Sequence, residues 1–370
     1  MNAPEAKLRA LVVDDSAINR QTIAAMLEAV PGVEVVGRAV NGQEALKLVF
    51  EAAPDVITLD LEMPGMDGFA FLRLLMNNRP TPVLVVSGYA QRENVFRALE
   101  LGALDFLAKP TRDHGADLKS IERELREKIE LVRRLQAVRL RERALSLAAS
   151  RHPDDAAPRS TRAPAVLGGP APTCVIAVGA STGGPPALQQ LVCALDPAWP
   201  MAMLVAQHMP ARFTGAFAQR LDRLANVRVL EAQDGQPLCA GTVYVAPGAA
   251  NLEVESAGAA HASPRVRVVP PQRVGVAPCI TPSADHLFRS LAAQYGPKLC
   301  CVVLTGMGSD GREGVIAAHR ARAHIIAEDP SSAVMPGMPH SVVETGLAHE
   351  VLRLEHIADA LRRFVANSWP

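Results

Sequence analysis

The chain has 370 residues, of which 49% are hydrophobic and 21% charged, so it is long enough for two domains with packed cores. Its 38 Lys and Arg balance its 38 Asp and Glu, which gives no overall basic character for binding nucleic acid or an anionic membrane. The six cysteines form no CxxC pair, and no segment reaches the roughly 18 apolar residues of a membrane span. We therefore expect a cytoplasmic protein with no signal peptide, no membrane insertion, no zinc site and no disulfide framework.

The first 110 residues alternate between short apolar runs and segments in which apolar residues recur with helical spacing. Such alternation predicts a parallel sheet covered by helices on both faces. The predicted strands cover residues 8–13, 33–36, 55–59, 83–86 and 105–107. We therefore expect a doubly wound, five-stranded α/β domain over residues 1–115.

Polar side chains follow four of these strands, at the point where each strand ends: Asp14 and Asp15, Asp60, Ser87 and Lys109. In an open parallel sheet these positions converge at one crevice. Three crowded carboxylates repel one another and need a cation, and oxygen ligands suit Mg²⁺. A helix cap or a Lys-Pro turn would explain any one of them, but together they favour a site where a carboxylate accepts a phosphoryl group.

The motifs at these strand ends resemble the receiver domain of two-component response regulators. They are LVVDDS at 11–16, LDLEMPGMDG at 59–68, SG at 87–88 and FLAKP at 106–110. The resemblance implies a flavodoxin-like domain in which Asp60 is phosphorylated and, with the two aspartates after the first strand, holds Mg²⁺. It also implies that Ser87 bonds a phosphoryl oxygen, that Lys109 pairs with the phosphoryl group, and that Phe106 is the aromatic switch residue.

Residues 116–172 connect the two predicted domains. Up to Ser150 the segment is charged and carries an apolar stripe with helical spacing, which predicts a helix whose start packs on the first domain. The stripe becomes ragged after Leu135, which favours a solvated helix over a coiled coil for the far end. From Arg151 the segment has five prolines and no periodicity, typical of a flexible linker, so we expect a second domain over residues 173–370.

Three predicted strands of the second domain end in candidate catalytic residues. Ser181 stands in a glycine-rich G-x-S-x-G corner, His208 follows the apolar run MAMLVAQ, and Asp310 lies in the glycine turn after LCCVVL. Taken one at a time, each has a plainer interpretation: a phosphate-binding or unliganded glycine turn, a hydrogen-bonded core histidine, and a helix N-cap.

The three residues have a joint interpretation if their strands are parallel neighbours, because they then meet at one edge of the sheet. They are the components of a Ser-His-Asp triad. Ser181 would attack, His208 would take and return the proton, and Asp310 would fix the imidazole tautomer. The chain order Ser, His, Asp differs from that of the α/β-hydrolases, so we do not expect that fold.

The second domain also resembles the chemotaxis protein-glutamate methylesterases of the CheB type. The resemblance rests on GASTGGP, AQHMPARFTGAFAQRL, VYVAPG, PSADHLF, LTGMGSDG and PGMPHSV, in that order along residues 173–370. It implies a Rossmann-like, mostly parallel sheet, and a serine hydrolase that removes γ-methyl esters from glutamates of chemoreceptors and also deamidates receptor glutamines. It further implies backbone N–H groups of Met307 and Thr182 as oxyanion donors, no cofactor in this domain, and activation when a chemotaxis histidine kinase phosphorylates Asp60.

Three segments depart from that family pattern. They are GYAQREN after Ser87, Ile280-Thr281 where His-Arg is frequent, and Asn251 where histidine is common. Two alternatives stay open at this point: the same enzyme acting on receptors of a non-motility array, or a phosphorylation-switched binding module with an inert esterase domain. A DNA-binding regulator is disfavoured, because no basic recognition helix follows the receiver.

Overall fold

The structure is a computed structural model that describes residues 7–88, 92–109, 115–134, 169–255, 264–271 and 280–368. The chain divides into two compact units at residues 154–155. Among the helices in these ranges, none combines the length and the apolar character needed to cross a bilayer.

The first unit is a five-stranded parallel sheet in the order β2-β1-β3-β4-β5, which confirms the predicted doubly wound architecture. Its strands are β1 (Leu8–Val13), β2 (Val33–Ala39), β3 (Val56–Leu59), β4 (Val83–Ser87) and β5 (Asp105–Ala108). Its helices are α1 (Ala17–Glu28), α2 (Gly42–Ala52), α3 (Gly68–Asn78), α4 (Arg92–Glu100) and α5 (Gly115–Arg134). β2 runs three residues beyond its predicted end. The prediction stopped early because this edge strand is half-exposed and its last residues include Gly37 and Arg38, which do not continue the apolar run.

Side-chain caps begin three of these helices directly after strands or turns. The Ser16 hydroxyl accepts from Asn19 N, the Asn41 side chain from Glu44 N, and the Asp67 carboxylate from Ala70 N. A cap of this kind stabilises a helix by about 1 kcal/mol. The caps therefore fix where the chain turns at the carboxyl edge of the sheet.

The helix α5 carries the apolar stripe predicted for the start of the connector. Ile121, Leu125, Ile129 and Val132 are at most 5% exposed, which confirms that this part of the helix packs on the first unit. Lys128 adds an ion pair at 2.7 Å to Asp105 on β5. The rest of the predicted helix and most of the predicted linker lie outside the described residues.

The second unit contains a seven-stranded sheet in the order β14-β13-β12-β6-β7-β9-β8, and every pairing within it is parallel. Its strands are β6 (Cys174–Ala180), β7 (Met201–Gln207), β8 (Arg228–Glu231), β9 (Thr242–Val245), β12 (Leu299–Val303), β13 (His324–Glu328) and β14 (Glu350–Leu352). A separate antiparallel pair consists of β10 (Asn251–Glu255) and β11 (Arg265–Val269). The helices are α6 (Gly184–Cys193), α7 (Ala211–Leu224), α8 (Ala284–Tyr295), α9 (Arg312–Arg320), α10 (Gly337–Val343) and α11 (Leu354–Asn367).

The segment at residues 241–248, which reads as hairpin-like in sequence, is not a hairpin. It forms the single strand β9, which pairs in parallel with both β7 and β8. The reason is burial: β9 is enclosed on both faces, and the fully buried Tyr244 anchors it by donating to Pro237 O and accepting from Cys239 N. The expected α/β unit with parallel strands is otherwise confirmed.

Candidate functional site

Ser181 follows the central strand β6, and both its N–H and its C=O make backbone hydrogen bonds. Its N–H donates to Thr305 O at 3.0 Å, beyond β12, and its C=O accepts from Gly184 N at 2.8 Å. Gly183 makes the corner possible with φ of 79°, a conformation that glycine adopts without strain. The turn after β12 packs closely against Ser181, since a Cβ placed on Gly306 would lie 2.9 Å from the Ser181 Cβ.

His208 and Asp310 form a hydrogen-bonded pair at the same edge of the sheet as Ser181. The His208 Nε2 lies 2.7 Å from the Asp310 Oδ2, and His208 N donates to Ala180 O at 2.9 Å, next to the nucleophile candidate. Because Nε2 faces the carboxylate, Nδ1 is the ring nitrogen left to act as a base. Within the described residues the Ser181 hydroxyl makes no hydrogen bond to His208; catalytic hydrogen bonds often tighten only when substrate binds.

The N-terminus of α8 also holds the Asp310 carboxylate. Ala284 N donates to Oδ2 at 2.7 Å, and Asp285 N and the Ser283 hydroxyl each donate to Oδ1 at 2.9 Å. Burial would raise the pKa of Asp310, but the hydrogen bond and charge of His208, with these backbone donors, outweigh it and the pKa is lowered. The carboxylate is therefore kept ionised beside the imidazole.

Asp285 in turn accepts hydrogen bonds from the segment that follows Asp310. Its Oδ1 accepts from Gly311 N at 2.9 Å and from Gly314 N at 2.6 Å, at the start of α9. Burial raises the pKa of Asp285, and the charge of Asp310 adds to the increase. Asp310 is therefore not the N-cap of the helix that follows it, which begins after Gly311. Its carboxylate instead accepts from the first two N–H groups of α8, while Asp285 of α8 accepts from N–H groups at the start of α9.

Asn251 contacts the segment just before α8. It is 4% exposed on β10, and its Oδ1 accepts from Ser283 N at 2.9 Å, just before α8. The residue that departs from the family pattern therefore supports the N-terminus that holds Asp310. Sequence reasoning missed Ser283 and Asp285, although PSADHLF contains both, because neither follows a strand.

Met307 and Thr182, the two predicted oxyanion donors, lie on loops that are linked by hydrogen bonds of Thr305. The Thr305 hydroxyl donates to Thr182 O at 2.9 Å and accepts from Met335 N at 2.9 Å, while Thr305 N donates to Glu328 Oε2 at 2.7 Å. In the part of the chain that the structure describes, the Met307 N–H donates to no acceptor. These contacts fix the two loops on either side of Ser181.

The first unit brings Asp14, Asp60 and Lys109 together in a buried cluster. Lys109 Nζ lies 2.5 Å from Asp60 Oδ2 and 3.4 Å from Asp14 Oδ2. Burial would lower the pKa of Lys109, but the hydrogen bond and charge of Asp60 outweigh it and the pKa is raised. For Asp14, burial raises the pKa, and the charge of Lys109 opposes that increase.

The acidic side of this cluster fits a divalent cation. Oxygen atoms of Asp14, Asp15 and Asp60 lie within 4.8 Å of one another. Asp14 Oδ2 is buried and accepts no hydrogen bond within the described residues, and its ion pair with Lys109 at 3.4 Å leaves a lone pair that a cation can use. Carboxylate oxygens in this arrangement suit Mg²⁺, which takes one or two carboxylates and keeps several waters.

Ser87 contacts the cluster through Lys109, and Phe106 lies on β5, the strand that precedes Lys109. Ser87 is fully buried at the end of β4, and its C=O accepts from Lys109 N at 2.8 Å. The Phe106 side chain is 4% exposed, with Lys128 Nζ 6.0 Å from its ring centre. The departing GYAQREN segment includes residues 89–91, which lie outside the described residues.

Comparisons with known proteins match both units. A family model described as CheB methylesterase matches residues 176–361, and one described as response regulator receiver domain matches residues 10–119. The first range contains Ser181, His208 and Asp310, and the second contains Asp60 and Lys109.

Similar proteins cover nearly the whole chain. It is 43% identical over 362 residues to protein-glutamate methylesterase/protein-glutamine glutaminase 3 of Geobacter sulfurreducens, which covers 95% of this chain and 96% of that protein. It is 45% identical over 352 residues to the protein-glutamate methylesterase/protein-glutamine glutaminase 1 of Myxococcus xanthus, with 95% of each covered. Among solved structures, the CheB methylesterase catalytic domain of Thermotoga maritima is 32% identical and covers 52% of this chain and 98% of that chain, with a TM-score of 0.48.

Proposed function

The chain belongs to the CheB methylesterase family, and on that premise we propose that it is a phosphorylation-regulated protein-glutamate methylesterase that uses Ser181, His208 and Asp310. One observation supports these roles above the others. The His208–Asp310 pair, 2.7 Å apart, lies at the sheet edge where Ser181 leaves β6. The inert binding module is disfavoured, because such a module has no need of an aspartate buried against an imidazole.

The esterase step is an acyl transfer. The Ser181 oxygen attacks the glutamyl ester carbonyl while His208 Nδ1 takes the hydroxyl proton, and Asp310 stabilises the imidazolium. The oxyanion of the tetrahedral intermediate accepts from the N–H groups of Met307 and Thr182. His208 then gives its proton to the departing methoxy oxygen, so methanol leaves, and water repeats the sequence on the acyl-enzyme to release the glutamate carboxylate.

The same acyl-transfer chemistry accounts for a glutaminase activity. A glutamine side-chain amide presents the same carbonyl to Ser181, and His208 gives its proton to the departing amide nitrogen, so ammonia leaves instead of methanol. We therefore propose that the chain also deamidates receptor glutamines, and the name protein-glutamine glutaminase that its relatives carry supports this activity.

Asp60 is the phosphoryl acceptor in this proposal. Its buried carboxylate attacks the phosphorus of a phosphohistidine, so that the O–P bond to Asp60 forms as the P–N bond breaks and the imidazole leaves. Lys109 pairs with the transferred group, and the Ser87 hydroxyl donates to a phosphoryl oxygen. A bound Mg²⁺ would be held by Asp14, Asp15 and Asp60 and would neutralise charge on the phosphoryl oxygens.

The partners follow from the family. A chemotaxis histidine kinase supplies the phosphoryl group, and methyl-accepting chemoreceptors, or receptors of a related array, supply the esters. The protein acts in the cytoplasm, where both partners present those groups. Phosphorylation of Asp60 raises the esterase activity at Ser181.

Labelling of the full chain with a fluorophosphonate tests the hydrolase chemistry without a receptor. We expect wild-type protein to be labelled and Ser181→Ala not to be labelled. Ser290→Ala is the matched control, because the Ser290 hydroxyl donates to Leu287 O within the same helix and contacts none of the three proposed catalytic residues in the described part of the chain. A folded wild-type protein that takes no label would leave the binding-module function as the better account.

A further inference from the structure

Gln207 is the last residue of β7 and lies between the proposed nucleophile and base. Its side chain is 1% exposed, and its Nε2 donates to Ser181 O at 2.9 Å and to His208 O at 3.0 Å. The Gln207 side-chain amide therefore donates hydrogen bonds to the backbone carbonyls of two proposed catalytic residues. The side chain fixes one strand end against the other.

The remaining contacts at these backbones do not replace this link. Ser181 O also accepts from Gly184 N, and His208 N donates to Ala180 O. The first contact lies within the Ser181 corner, and the second orients the start of the His208 loop but not its carbonyl. Without Gln207, the His208 carbonyl loses the donor that ties it to the corner.

The oxygen of the Gln207 side-chain amide is buried at a cost in free energy. Its Oε1 is buried and has no hydrogen-bond partner within the described residues. A Cβ at Gly184 would lie 2.0 Å from that oxygen, so the first residue of α6 has to be glycine for the side chain to fit. The oxygen lies at the positive end of the α6 dipole, which offsets part of the penalty for an unpaired buried carbonyl.

A buried polar group that lacks a partner calls for an explanation, because an apolar side chain of the same shape would avoid the penalty. We propose that Gln207 is a positioning residue that sets the distance between the Ser181 hydroxyl and the His208 ring. The proposal rests on the roles given above to Ser181 and His208. Gln207 acts through those two residues and does not contact substrate.

The test needs a control that loses equally good backbone hydrogen bonds away from the site. Tyr244 provides it, since its fully buried hydroxyl donates to Pro237 O at 2.8 Å and accepts from Cys239 N at 2.9 Å. Tyr244→Phe removes both bonds within the same sheet. If Gln207 were merely structural, Gln207→Met and Tyr244→Phe would differ only in stability.

The experiment measures the hydrolysis of a small ester and the fluorophosphonate labelling rate with the full chain, beside the unfolding midpoint. Gln207→Met has similar volume and removes both donors together with the unpaired oxygen. We expect kcat and the labelling rate to fall about 10- to 100-fold with KM nearly unchanged, because small misplacements of reacting groups cost that much. The midpoint should shift no more than in Tyr244→Phe, which should keep the wild-type kcat.

Gln207→Glu supplies a readout that a structural role would not move. Its protonated carboxyl can donate one hydrogen bond at acid pH, whereas its ionised form places negative charge against two carbonyl oxygens. The ratio of its kcat to that of wild type should therefore fall as pH rises. This variant also decides the matter if Gln207→Met does not fold.

Two results would overturn the proposal: a wild-type kcat in Gln207→Met, or a Gln207→Glu ratio that does not change with pH. The failure of the underlying function looks different. In that case wild type itself shows no reaction beyond that of Ser181→Ala, whatever residue stands at position 207.

Discussion

The Asp310 carboxylate accepts from four donors that reach it from two directions: the His208 ring, two backbone N–H groups and the Ser283 hydroxyl. Asp310→Asn should lower kcat for ester hydrolysis by about 10³-fold or more, because an amide nitrogen cannot accept from the ring and the wrong imidazole tautomer results. Initial rates with a small ester measure the effect. Asp234→Asn, which changes an exposed carboxylate of the same unit, should keep the wild-type rate.

The lowered pKa of Asp310 also predicts how stability depends on pH. A carboxyl whose folded-state pKa lies below its unfolded value of about 3.9 stabilises the fold above that pH, and the contribution is lost as pH falls through the folded-state pKa. The difference in unfolding free energy between wild type and Asp310→Asn should therefore be largest near pH 7 and shrink below about pH 4. Urea unfolding at both pH values checks this; a difference that grows in acid would contradict the assignment.

At the scale of residues, strand ends in the sequence were enough to place Ser181, His208 and Asp310 at one edge. They could not find Ser283 or Gln207. The Ser283 hydroxyl reaches Asp310 across 27 positions, and the Gln207 amide reaches Ser181 across 26. Contacts of that separation exist only after the sheet has assembled, and no local pattern marks them.

The helices α8 and α9 are joined at their N-termini by the exchange of carboxylate caps between Asp285 and Asp310. Asp285→Ala should reduce the unfolding free energy by about 1 kcal/mol, as expected for one lost cap. It should also reduce kcat, though less than Asp310→Asn does, because the turn that carries Asp310 loses two of its anchors at Gly311 and Gly314. Chemical unfolding and ester hydrolysis measure the two effects.

Asp222→Ala is the control for that prediction. The Asp222 carboxylate accepts from Val229 N at 2.7 Å in the same unit, away from the exchanged caps. Its loss should reduce stability while kcat stays at the wild-type value. A reduction of kcat in both variants, in proportion to their stability, would mean that the exchanged caps have no separate effect on the site.

At the scale of elements, buried strands were predicted well because both faces of β1, β3, β6, β7 and β12 are enclosed and leave continuous apolar runs. The prediction was weakest where a strand is half-exposed, as at the end of β2. At β9 the presence of a strand was predicted correctly, but the hairpin-like interpretation of residues 241–248 was wrong. There the pairing with β7 and β8 decides the structure, and pairing partners are not visible in a local window.

The whole molecule combines two sites that sequence predicts separately, an acidic phosphoryl-acceptor cluster and a hydrolase edge. If Mg²⁺ serves only the first, its removal by a chelator should abolish stimulation by a small phosphodonor and leave basal ester hydrolysis unchanged. Hydrolysis rates with and without chelator, in wild type and in Asp60→Asn, measure this. Loss of basal activity on chelation would place a metal requirement in the esterase reaction.

The most direct measurement is methanol release from methylated chemoreceptor membranes by wild type, Ser181→Ala and Asp60→Asn, each with and without a phosphodonor and Mg²⁺. We expect release by wild type that rises with the phosphodonor, unstimulated release by Asp60→Asn, and none by Ser181→Ala. Equal release by wild type and Ser181→Ala, or stimulation that persists in Asp60→Asn, would contradict this expectation.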